Sequence, residues 1–269
     1  MDLVSILILG LTQGVTEWVP VSSKTQVSLV YLTFLKGSPD NVIPILLWVH
    51  VGTLLAAAIY FRKELAAIAK EIKAAPYDSK TYTQGRNGFL LAALFFTGVV
   101  GLPILYLEKK MLPSLDGTAV YILMGLGLLF TGLLLISQKK KTFRHKEDAG
   151  MVDGIVTGLL QGLSTLPGVS RSGTTSTALI WRSFDPDSAF GLSFLLSIPS
   201  VFLAEIVLYA GEAGGSLPLT DGLALAGVSF FFGYLTLDAI LRLVKKVNLA
   251  YFVIILGLLI MATALFHAG

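Results

Sequence analysis

The sequence predicts an all-α integral membrane protein in which six transmembrane helices and two re-entrant helical hairpins form an inverted repeat. Three observations support this prediction: the composition, the distribution of basic residues, and an internal repeat at an offset of 148 residues. Of the 269 residues, 54% are hydrophobic and only 14% are charged. A soluble globular domain has about 25% charged residues, so we expect this chain in a membrane.

Six apolar segments approach the ~20 residues that a bilayer-spanning helix needs. Four contain no charged residue, and the other two contain one acid each, Glu205 and Asp238. In chain order the six are 42–61, 88–107, 119–137, 188–210, 222–241 and 249–268. An earlier apolar segment follows Met1-Asp2-Leu3, which lacks the basic start of a cleaved signal peptide, so we expect it to be retained.

Basic residues indicate which loops face the cytoplasm. Fourteen of the 20 lie in the segments 62–87, 138–151 and 242–248, which the positive-inside rule assigns to the cytoplasmic side. The formal net charge of +3 therefore has a topological explanation, and no nucleic-acid partner is expected.

The loops after segment 152–183 obey the positive-inside rule only if this segment enters and leaves the membrane on the same side. A single crossing would place the basic segment 242–248 outside. Its second arm, 174–183, would be a helix of roughly 15 Å at ~1.5 Å per residue, about half of a ~30 Å hydrocarbon core. We therefore predict a re-entrant hairpin over 152–183.

The first apolar segment, 3–35, has the same form, and part of its sequence is repeated in the second hairpin. Gly10-Leu11-Thr12-Gln13-Gly14 matches Gly158-Leu159-Leu160-Gln161-Gly162, and Val21-Ser22 matches Val169-Ser170. Each half, about 1–148 and 149–269, then contains one hairpin and three spans. Because three is odd, the halves insert in opposite orientations, a plan in which broken helices meet near the bilayer midplane. Irregular backbone at that depth requires surrounding protein or a wet cavity, so the two breaks should face one polar pocket.

Arg171 is the most informative residue of the second break. A guanidinium at membrane depth costs at least ~2.5 kcal/mol and needs an anionic partner or a wet site. Nearby glycines allow backbone amides to approach a ligand, hydroxyls and a helix start bind anions, and arginine binds phosphate oxygens bidentately. The combination predicts a phosphate or pyrophosphate site. The alternative is a capped helix in which Arg171 forms a structural ion pair with Glu17.

The first break offers a carboxylate and hydroxyls. Gln13 and Glu17 are four residues apart and share one helix face, which ends near Pro20. Glu17 could coordinate a divalent cation, act as a general base, or pair with Arg171. Ser22, Ser23 and Thr25 could be helix caps or nucleophiles, and Lys24 could bind phosphate or extend to the membrane interface. His50, in the first span, is expected to be a packing or hydrogen-bonding group, with an auxiliary catalytic role as the alternative.

With these residues in place, the chain resembles the undecaprenyl-pyrophosphate phosphatase family of the bacitracin-resistance type over essentially its whole length. Gln13-Gly14-Val15-Thr16-Glu17 fits the family's E/Q-x-x-x-E element, and Pro20-Val21-Ser22-Ser23 follows it. Pro167-Gly168-Val169-Ser170-Arg171-Ser172-Gly173-Thr174-Thr175 fits PGxSRSxxT, and the run 194–199 is also similar to the family.

The resemblance implies hydrolysis of undecaprenyl (polyprenyl) diphosphate to the monophosphate and inorganic phosphate, which recycles the lipid carrier for envelope glycan synthesis. It also implies a divalent cation, Mg²⁺ or Ca²⁺, held at Glu17, and a site in the plasma membrane that opens to the outer face. By position, Glu17, Ser23 and Arg171 would be catalytic. The residues predicted to bind substrate are Gln13, Ser22, Lys24, Gln26, Ser170, Ser172, Gly173, Thr174 and Thr175.

One departure leaves the mechanism open. Family members commonly continue the first break as SSTGH, whereas this chain has Gln26 at the histidine position. Ser23 or a water activated by Glu17 could attack without a histidine, His50 could substitute from the neighbouring helix, or activity could be altered. A transporter or flippase of an anionic or lipid-linked substrate stays the alternative function, followed by a phosphatase-like protein without activity. The oligomeric state is open between a monomer and a homodimer.

Overall fold

The computed structural model describes residues 1–111, 115–138, 143–211, 217–244, 247 and 249–267. Within these ranges the regular structure is helical, and the one β-feature is an isolated bridge between Arg144 and Phe184. The α-helices in chain order are α1 Leu3–Thr16, α2 Ser23–Leu29, α3 Val42–Tyr60, α4 Arg62–Ala74, α5 Ser79–Thr83, α6 Gly85–Met111, α7 Gly117–Ile136, α8 Met151–Gly162, α9 Arg171–Trp181, α10 Pro186–Gly211, α11 Leu219–Val244 and α12 Ala250–His267.

The protein is a multi-pass membrane protein. Among the described residues, five helices are long and apolar enough to cross a bilayer: Pro39–Tyr60, Gly85–Met111, Gly117–Ile136, Pro186–Val207 and Leu219–Leu243. They correspond to the first five predicted spans. The predicted sixth span, 249–268, coincides with α12, whose apolar stretch Ala250–Ala264 is shorter than the five others. Large apolar side chains such as Phe95, Leu133 and Phe231 are more than half exposed, as expected of a lipid-facing surface.

The basic segment 62–87 is more ordered than a simple loop. It contains α4 and α5, and α6 already begins at Gly85. The apolar residues Leu65 and Ile68 of α4 pack against the protein core, while the basic residues Arg62 and Lys63 are exposed. The helix is therefore amphipathic, with one face held by burial, and charge content alone did not reveal it.

Two pairs of short helices, α1–α2 and α8–α9, occupy the predicted hairpin segments. We call residues 17–26 the first tip and residues 165–174 the second tip. The first tip contains Ser22 in the left-handed region at φ 58°, directly before α2. The second tip contains Gly168 at φ 83°, and a Cβ at Gly168 would overlap the carbonyl oxygen of Met124. Glycine is required there for both its backbone conformation and the close approach of α7.

The repeated glycines place the two helix pairs against long helices of the opposite halves. Gly10 and Gly14 of α1 lie against α11, whereas Gly158 and Gly162 of α8 lie against α6. A Cβ at any of the four positions would meet the neighbouring helix. Close helix packing therefore explains why the repeat retains glycine at these positions.

Residues 143–150, which precede α8 and which we call the segment between the halves, are bonded to the second helix pair. Arg144 donates two hydrogen bonds of 2.8 Å to Asp153, to which Arg182 also donates at 2.8 Å. Asp185 accepts a bond from the backbone N–H of Ser188 at 3.1 Å, which caps the start of α10, and it pairs with His145 at 3.0 Å. Burial alone would raise the pKa of Asp185, but the hydrogen bonds from Ser188 and His145 hold this pKa below its usual value.

Candidate active site

A cavity of about 130 Å³, which we call the tip cavity, lies between the two tips. The first tip lines it with Glu17, Ser22, Ser23 and Lys24, and the second tip with Ser170, Arg171 and Ser172. Further polar side chains reach it from α3, α6 and α10. The structure thus brings both sequence breaks to one polar pocket.

An ion pair joins the tips across this cavity. Arg171 donates from Nη2 to Oε1 of Glu17 at 2.5 Å, and both side chains are at least 85% buried. A guanidinium has five N–H donors, and within the described residues Arg171 donates one further, longer bond of 3.4 Å to the carbonyl of Ser193. The ion pair that the sequence offered as an alternative is therefore present, and Arg171 retains donors for an anionic ligand.

The second carboxylate oxygen of Glu17 holds the hydroxyl of Ser23. Ser23 Oγ donates to Oε2 at 2.6 Å, and Gln13 Nε2 donates to the same oxygen at 2.9 Å. Gln13 is completely buried and also donates to Thr53 at 3.3 Å. Glu17 is consequently fixed between a candidate nucleophile and a candidate phosphate ligand, the arrangement that an acid–base activated hydroxyl requires.

His50 of α3 and Glu205 of α10 also line the tip cavity. Nδ1 of His50 is 2.7 Å from the carbonyl oxygen of Leu46, and Nε2 is 3.7 Å from Oε2 of Glu17. Glu205 Oε1 is 3.8 Å from Nδ1 of His50. Its other oxygen is buried and, within the described part of the chain, has no hydrogen-bond partner.

A family model described as Bacitracin resistance protein BacA matches residues 6–262. The chain belongs to this family. Among curated relatives, it is 38% identical to an undecaprenyl-diphosphatase of Methanococcoides burtonii over 268 residues, which is 98% of each chain. It is 38% identical to one of Haloarcula marismortui, covering 91% of this chain and 90% of the relative. A third, from Saccharolobus solfataricus, is 36% identical, covering 94% of this chain and 92% of the relative.

Several residues predicted to bind substrate in this BacA-family chain do lie at the tip cavity. Lys24 is exposed there, beside Ser22 of the same tip. Ser170 and Ser172 line the cavity from the second tip. Ser170 Oγ accepts the backbone N–H of Gly173 at 3.3 Å, so it caps α9 as well. That bond occupies the Gly173 amide, which was predicted to bind the ligand.

Five of the predicted substrate ligands do not line the cavity: Gln13, Gln26, Gly173, Thr174 and Thr175. Gln13 contacts Glu17 instead, and Gln26 Nε2 donates to the carbonyl of Val21 at 2.9 Å. The hydroxyls of Thr174 and Thr175 donate to the carbonyl of Arg171 at 2.9 and 2.8 Å. Regular helix from Arg171 onward directs both threonines into the protein, where they bond to the preceding turn. These residues support the site's framework.

Sequence reasoning missed a polar group on the opposite wall of the cavity. Gln161 Nε2 donates to Thr97 at 2.8 Å and to Ser200 at 2.9 Å, and all three residues line the cavity. The repeat contained the signal for Gln161, since it matches Gln13. Thr97 and Ser200 are small polar residues in apolar spans, and only the packing of α6 and α10 brings them here.

The carboxylates do not form a ready cation site. Both oxygens of Glu17 already accept hydrogen bonds from protein donors. Among the residues with described positions, no group of three His, Cys, Asp or Glu side chains could hold a metal ion. The residues present therefore do not fit a resident cation at Glu17, and the predicted Mg²⁺ or Ca²⁺ stays a prediction.

A second cavity, of about 1210 Å³, is lined by residues of α4 and α5 and by the segment between the halves. Between it and the tip cavity lies an aromatic cluster, formed by Trp18, Phe61, Phe190 and Phe194 with aliphatic neighbours. Along α3, His50 lines the tip cavity, Ala56 belongs to the cluster, and Tyr60 lines the second cavity. Trp18 is 1% exposed, and its ring centroid is 5.3 Å from that of Phe194. Along α3, the cluster thus separates the residues of the tip cavity from those of the second cavity.

Proposed function

We propose that the protein hydrolyses undecaprenyl diphosphate to undecaprenyl phosphate and inorganic phosphate, recycling the carrier lipid for envelope glycan synthesis. One observation carries the proposal: the Glu17–Arg171 pair joins the two tips beside the Ser23 hydroxyl in a polar cavity within the membrane part of the protein. The names of the relatives support the same reaction. A polyprenyl tail would lie in lipid while the diphosphate enters the cavity.

In the proposed reaction, Arg171 and Lys24 neutralise the phosphate oxygens, and Ser23 attacks the terminal phosphorus in line with the bridging oxygen. The Ser23 Oγ–P bond forms as the bridging P–O bond breaks and the lipid monophosphate leaves. The Ser23 proton passes to Oε2 of Glu17, to which it is already hydrogen-bonded at 2.6 Å. Water then attacks the phosphoserine and releases inorganic phosphate. Direct attack by water is the alternative.

The proposed topology has six spans and two re-entrant hairpins, with halves 1–148 and 149–269 related as an inverted repeat. The packing of the repeated glycines supports this topology. Helix α1 of the first half packs on α11 of the second half, and α8 of the second half packs on α6 of the first half. The matched residues Gln13 and Gln161 also bond to corresponding spans, through Thr53 of α3 and Ser200 of α10.

We infer that the tip cavity opens to the outer face of the plasma membrane. The second cavity lies beside α4 and α5, in the basic segment that the positive-inside rule assigns to the cytoplasm. The sequence contains no cysteine, so a single introduced thiol reports its side. A membrane-impermeant maleimide applied to intact cells should label Ser38→Cys and leave Lys80→Cys unlabelled; the reverse pattern would contradict the orientation.

The predicted cation would have to arrive with the diphosphate, whose oxygens are ligands that Mg²⁺ and Ca²⁺ prefer. No step above passes through it. Rates with added Mg²⁺, with added Ca²⁺ and with a chelator measure whether it is needed. Light scattering of the purified detergent complex distinguishes the monomer from the homodimer.

The central experiment measures phosphate release from undecaprenyl diphosphate by the purified protein in detergent. Wild type should release phosphate, whereas Glu17→Ala and Arg171→Ala should not. Arg171→Lys retains a charge but loses bidentate geometry, so it should be folded and strongly impaired. Arg62→Ala is the matched control, because Arg62 is exposed and donates only to the carbonyl of Ile59 within the described structure. Equal rates in all variants would overturn the proposed site.

Ser23→Ala then distinguishes the attacking group. Loss of phosphate release, with a stable fold, supports attack by Ser23; a rate near wild type assigns the attack to water. Movement of labelled lipid across vesicle membranes without phosphate release would instead favour the flippase, which the relatives do not favour.

A further inference from the structure

The proposed hydrolysis needs a group that accepts a proton from water, and the first tip does not supply one. Gln26, at the end of that tip, has an amide side chain that is bonded to the carbonyl of Val21. An amide side chain does not exchange a proton in this way. The titratable side chains that line the tip cavity are Glu17, Lys24, His50, Arg171 and Glu205. Glu17 is committed to Ser23, and the two cations cannot act as bases while neutralising phosphate.

We propose that His50 is the catalytic base for the water that hydrolyses the phosphoserine, and that Glu205 positions and stabilises it. The inference rests on the proposed function and names its proton acceptor. Neither His50 nor Glu205 belongs to the motifs that carry the family resemblance.

Hydrogen bonding fixes which nitrogen of His50 is the base. A carbonyl oxygen only accepts, so the 2.7 Å contact with the carbonyl of Leu46 requires the proton on Nδ1. In the neutral ring, Nε2 then carries the free lone pair. The group that faces Nε2 is Oε2 of Glu17 at 3.7 Å, which exceeds hydrogen-bond length. Nε2 is therefore poised to accept a proton from a water in the cavity.

The position of Nε2 suits that water. Oε2 of Glu17 is shared, since it lies 2.6 Å from Ser23 Oγ and 3.7 Å from Nε2 of His50. A phosphoryl group on Ser23 would therefore lie within reach of a single water hydrogen-bonded to His50, the geometry that a general base needs. His50 is 4% exposed, and its position on α3 is held by helix packing.

Glu205 supplies the charge that a protonated His50 requires. Its Oε1 is 3.8 Å from Nδ1. The N–H at Nδ1 already donates to the carbonyl of Leu46. Glu205 therefore acts on His50 through its negative charge and not through a hydrogen bond. When His50 accepts a proton, its imidazolium lies between two carboxylates, Glu17 and Glu205. An acid behind a histidine stabilises the imidazolium in this way in hydrolase triads.

The proton balance closes over the second step. The water oxygen forms a bond to phosphorus as the Ser23 Oγ–P bond breaks, and one water proton passes to Nε2 of His50. Ser23 Oγ regains its proton from Glu17. Inorganic phosphate leaves, and His50 returns its proton to solvent through the open cavity, which restores the starting state.

His50→Gln tests the base. We expect kcat to fall by about 10²- to 10⁴-fold, the contribution of a positioned general base, and KM to fall with it, because slowing only the second step leaves kcat/KM nearly unchanged. Because only the second step needs His50, the variant should release a burst of undecaprenyl phosphate equal to the enzyme and retain a phosphoryl group on Ser23. His145→Gln is the matched control and should behave as wild type, because His145 lies in the segment between the halves and 71% of its side chain is exposed.

Three results would overturn the assignment to His50: a kcat close to wild type, a raised KM at unchanged kcat, or a lowered kcat without the burst. Arg171→Ala is assayed in parallel to separate this outcome from failure of the proposed function. If wild type releases no phosphate, the proposed function fails. If wild type is active, Arg171→Ala is inactive and His50→Gln equals wild type, only the inference about His50 fails.

Glu205→Gln tests the positioning role. We expect kcat to fall by roughly 10- to 100-fold, the usual effect of losing a partner that supports a functional histidine. The double variant His50→Gln/Glu205→Gln should be no slower than His50→Gln alone, because Glu205 acts through His50. Losses that multiply in the double variant would show that Glu205 acts elsewhere. Glu64→Gln, at the second cavity, is the matched control for removing a carboxylate.

Discussion

The two tips share a scaffold but not their chemistry. At the offset of 148 that aligns Val21-Ser22 with Val169-Ser170, Glu17 corresponds to Thr165, and Ser23 corresponds to Arg171. Ser23 and Arg171 both donate hydrogen bonds to the carboxylate of Glu17. Ser23 donates to Oε2 and Arg171 donates to Oε1. Divergence at single positions thus gave one carboxylate two different donors, one suited to attack and one suited to binding phosphate.

The backbones of the tips also differ. The first tip reaches α2 through Ser22 at φ 58°, whereas the second uses Gly168 at φ 83° after a short 3₁₀ helix. Helices α1 and α8, which precede the two tips, pack in the same way, because the repeated glycines of α1 contact α11 and those of α8 contact α6. The two halves therefore share the glycine contacts of α1 and α8 with neighbouring helices, whereas the backbone paths of the two tips differ.

The largest effect should come from removing one side of the ion pair between the tips. Glu17→Ala or Arg171→Ala leaves a buried charge without its partner, which costs about 3–5 kcal/mol. The double variant should cost less than the sum of the two, because no unpaired charge remains. Unfolding free energies from titration with a denaturing detergent measure all three, and strictly additive costs would mean that the tips do not stabilise one another.

Alanine at the repeated glycines tests whether the two halves pack equivalently. Gly14→Ala would place a Cβ 2.7 Å from the backbone of Gly233, and Gly162→Ala would place one 2.5 Å from Val100. Each should lower stability by about 1–3 kcal/mol through overpacking, and by similar amounts. Gly227→Ala in α11 meets open space and should stabilise the helix slightly. A change tolerated at one position and severe at the other would show that packing has diverged.

The smallest effect concerns the cap that follows the second helix pair. Asp185→Asn should lower stability by about 1 kcal/mol at neutral pH, because it weakens the bonds to Ser188 and His145. The pKa of Asp185 is lowered in the folded protein from a usual value of 3.8. Its stabilisation is therefore complete above about pH 4 and is lost as the pH falls through the folded pKa. Melting temperatures between pH 3 and pH 7 should converge for wild type and variant only at the acid end; a constant difference would contradict the role of the charge.

Much of the fold followed from composition and repeated residues. Apolar length predicted the spans, because a bilayer leaves few other ways to bury twenty apolar residues. The contact between Arg171 and Glu17 was one of two alternatives, since a guanidinium at membrane depth needs an anion. In contrast, α4 was not predicted, because the many basic residues of segment 62–87 indicated a loop. The apolar face of α4 is explained only by the core against which it packs.

The parts of the site that could not be predicted depend on helix phase and tertiary packing. Thr174 and Thr175 belong to the same motif as Arg171, but the helix turns their hydroxyls into the protein. His50 and Glu205 lie on separate spans, 155 residues apart in the sequence. A lone histidine in an apolar helix is usually a packing residue, and only the meeting of α3 and α10 gives it two carboxylate neighbours.

The aromatic cluster under the tip cavity has a consequence for the cell as well as for the site. Cells store energy as ion gradients across their membranes, and a continuous water path through a protein would discharge them. Trp18 and Phe194 are almost fully buried and in contact with each other, and along α3 their cluster lies between the residues that line the two cavities. Such a layer of buried rings would interrupt a water path between the two cavities, so that a charged lipid headgroup could enter the tip cavity while the membrane stays electrically tight.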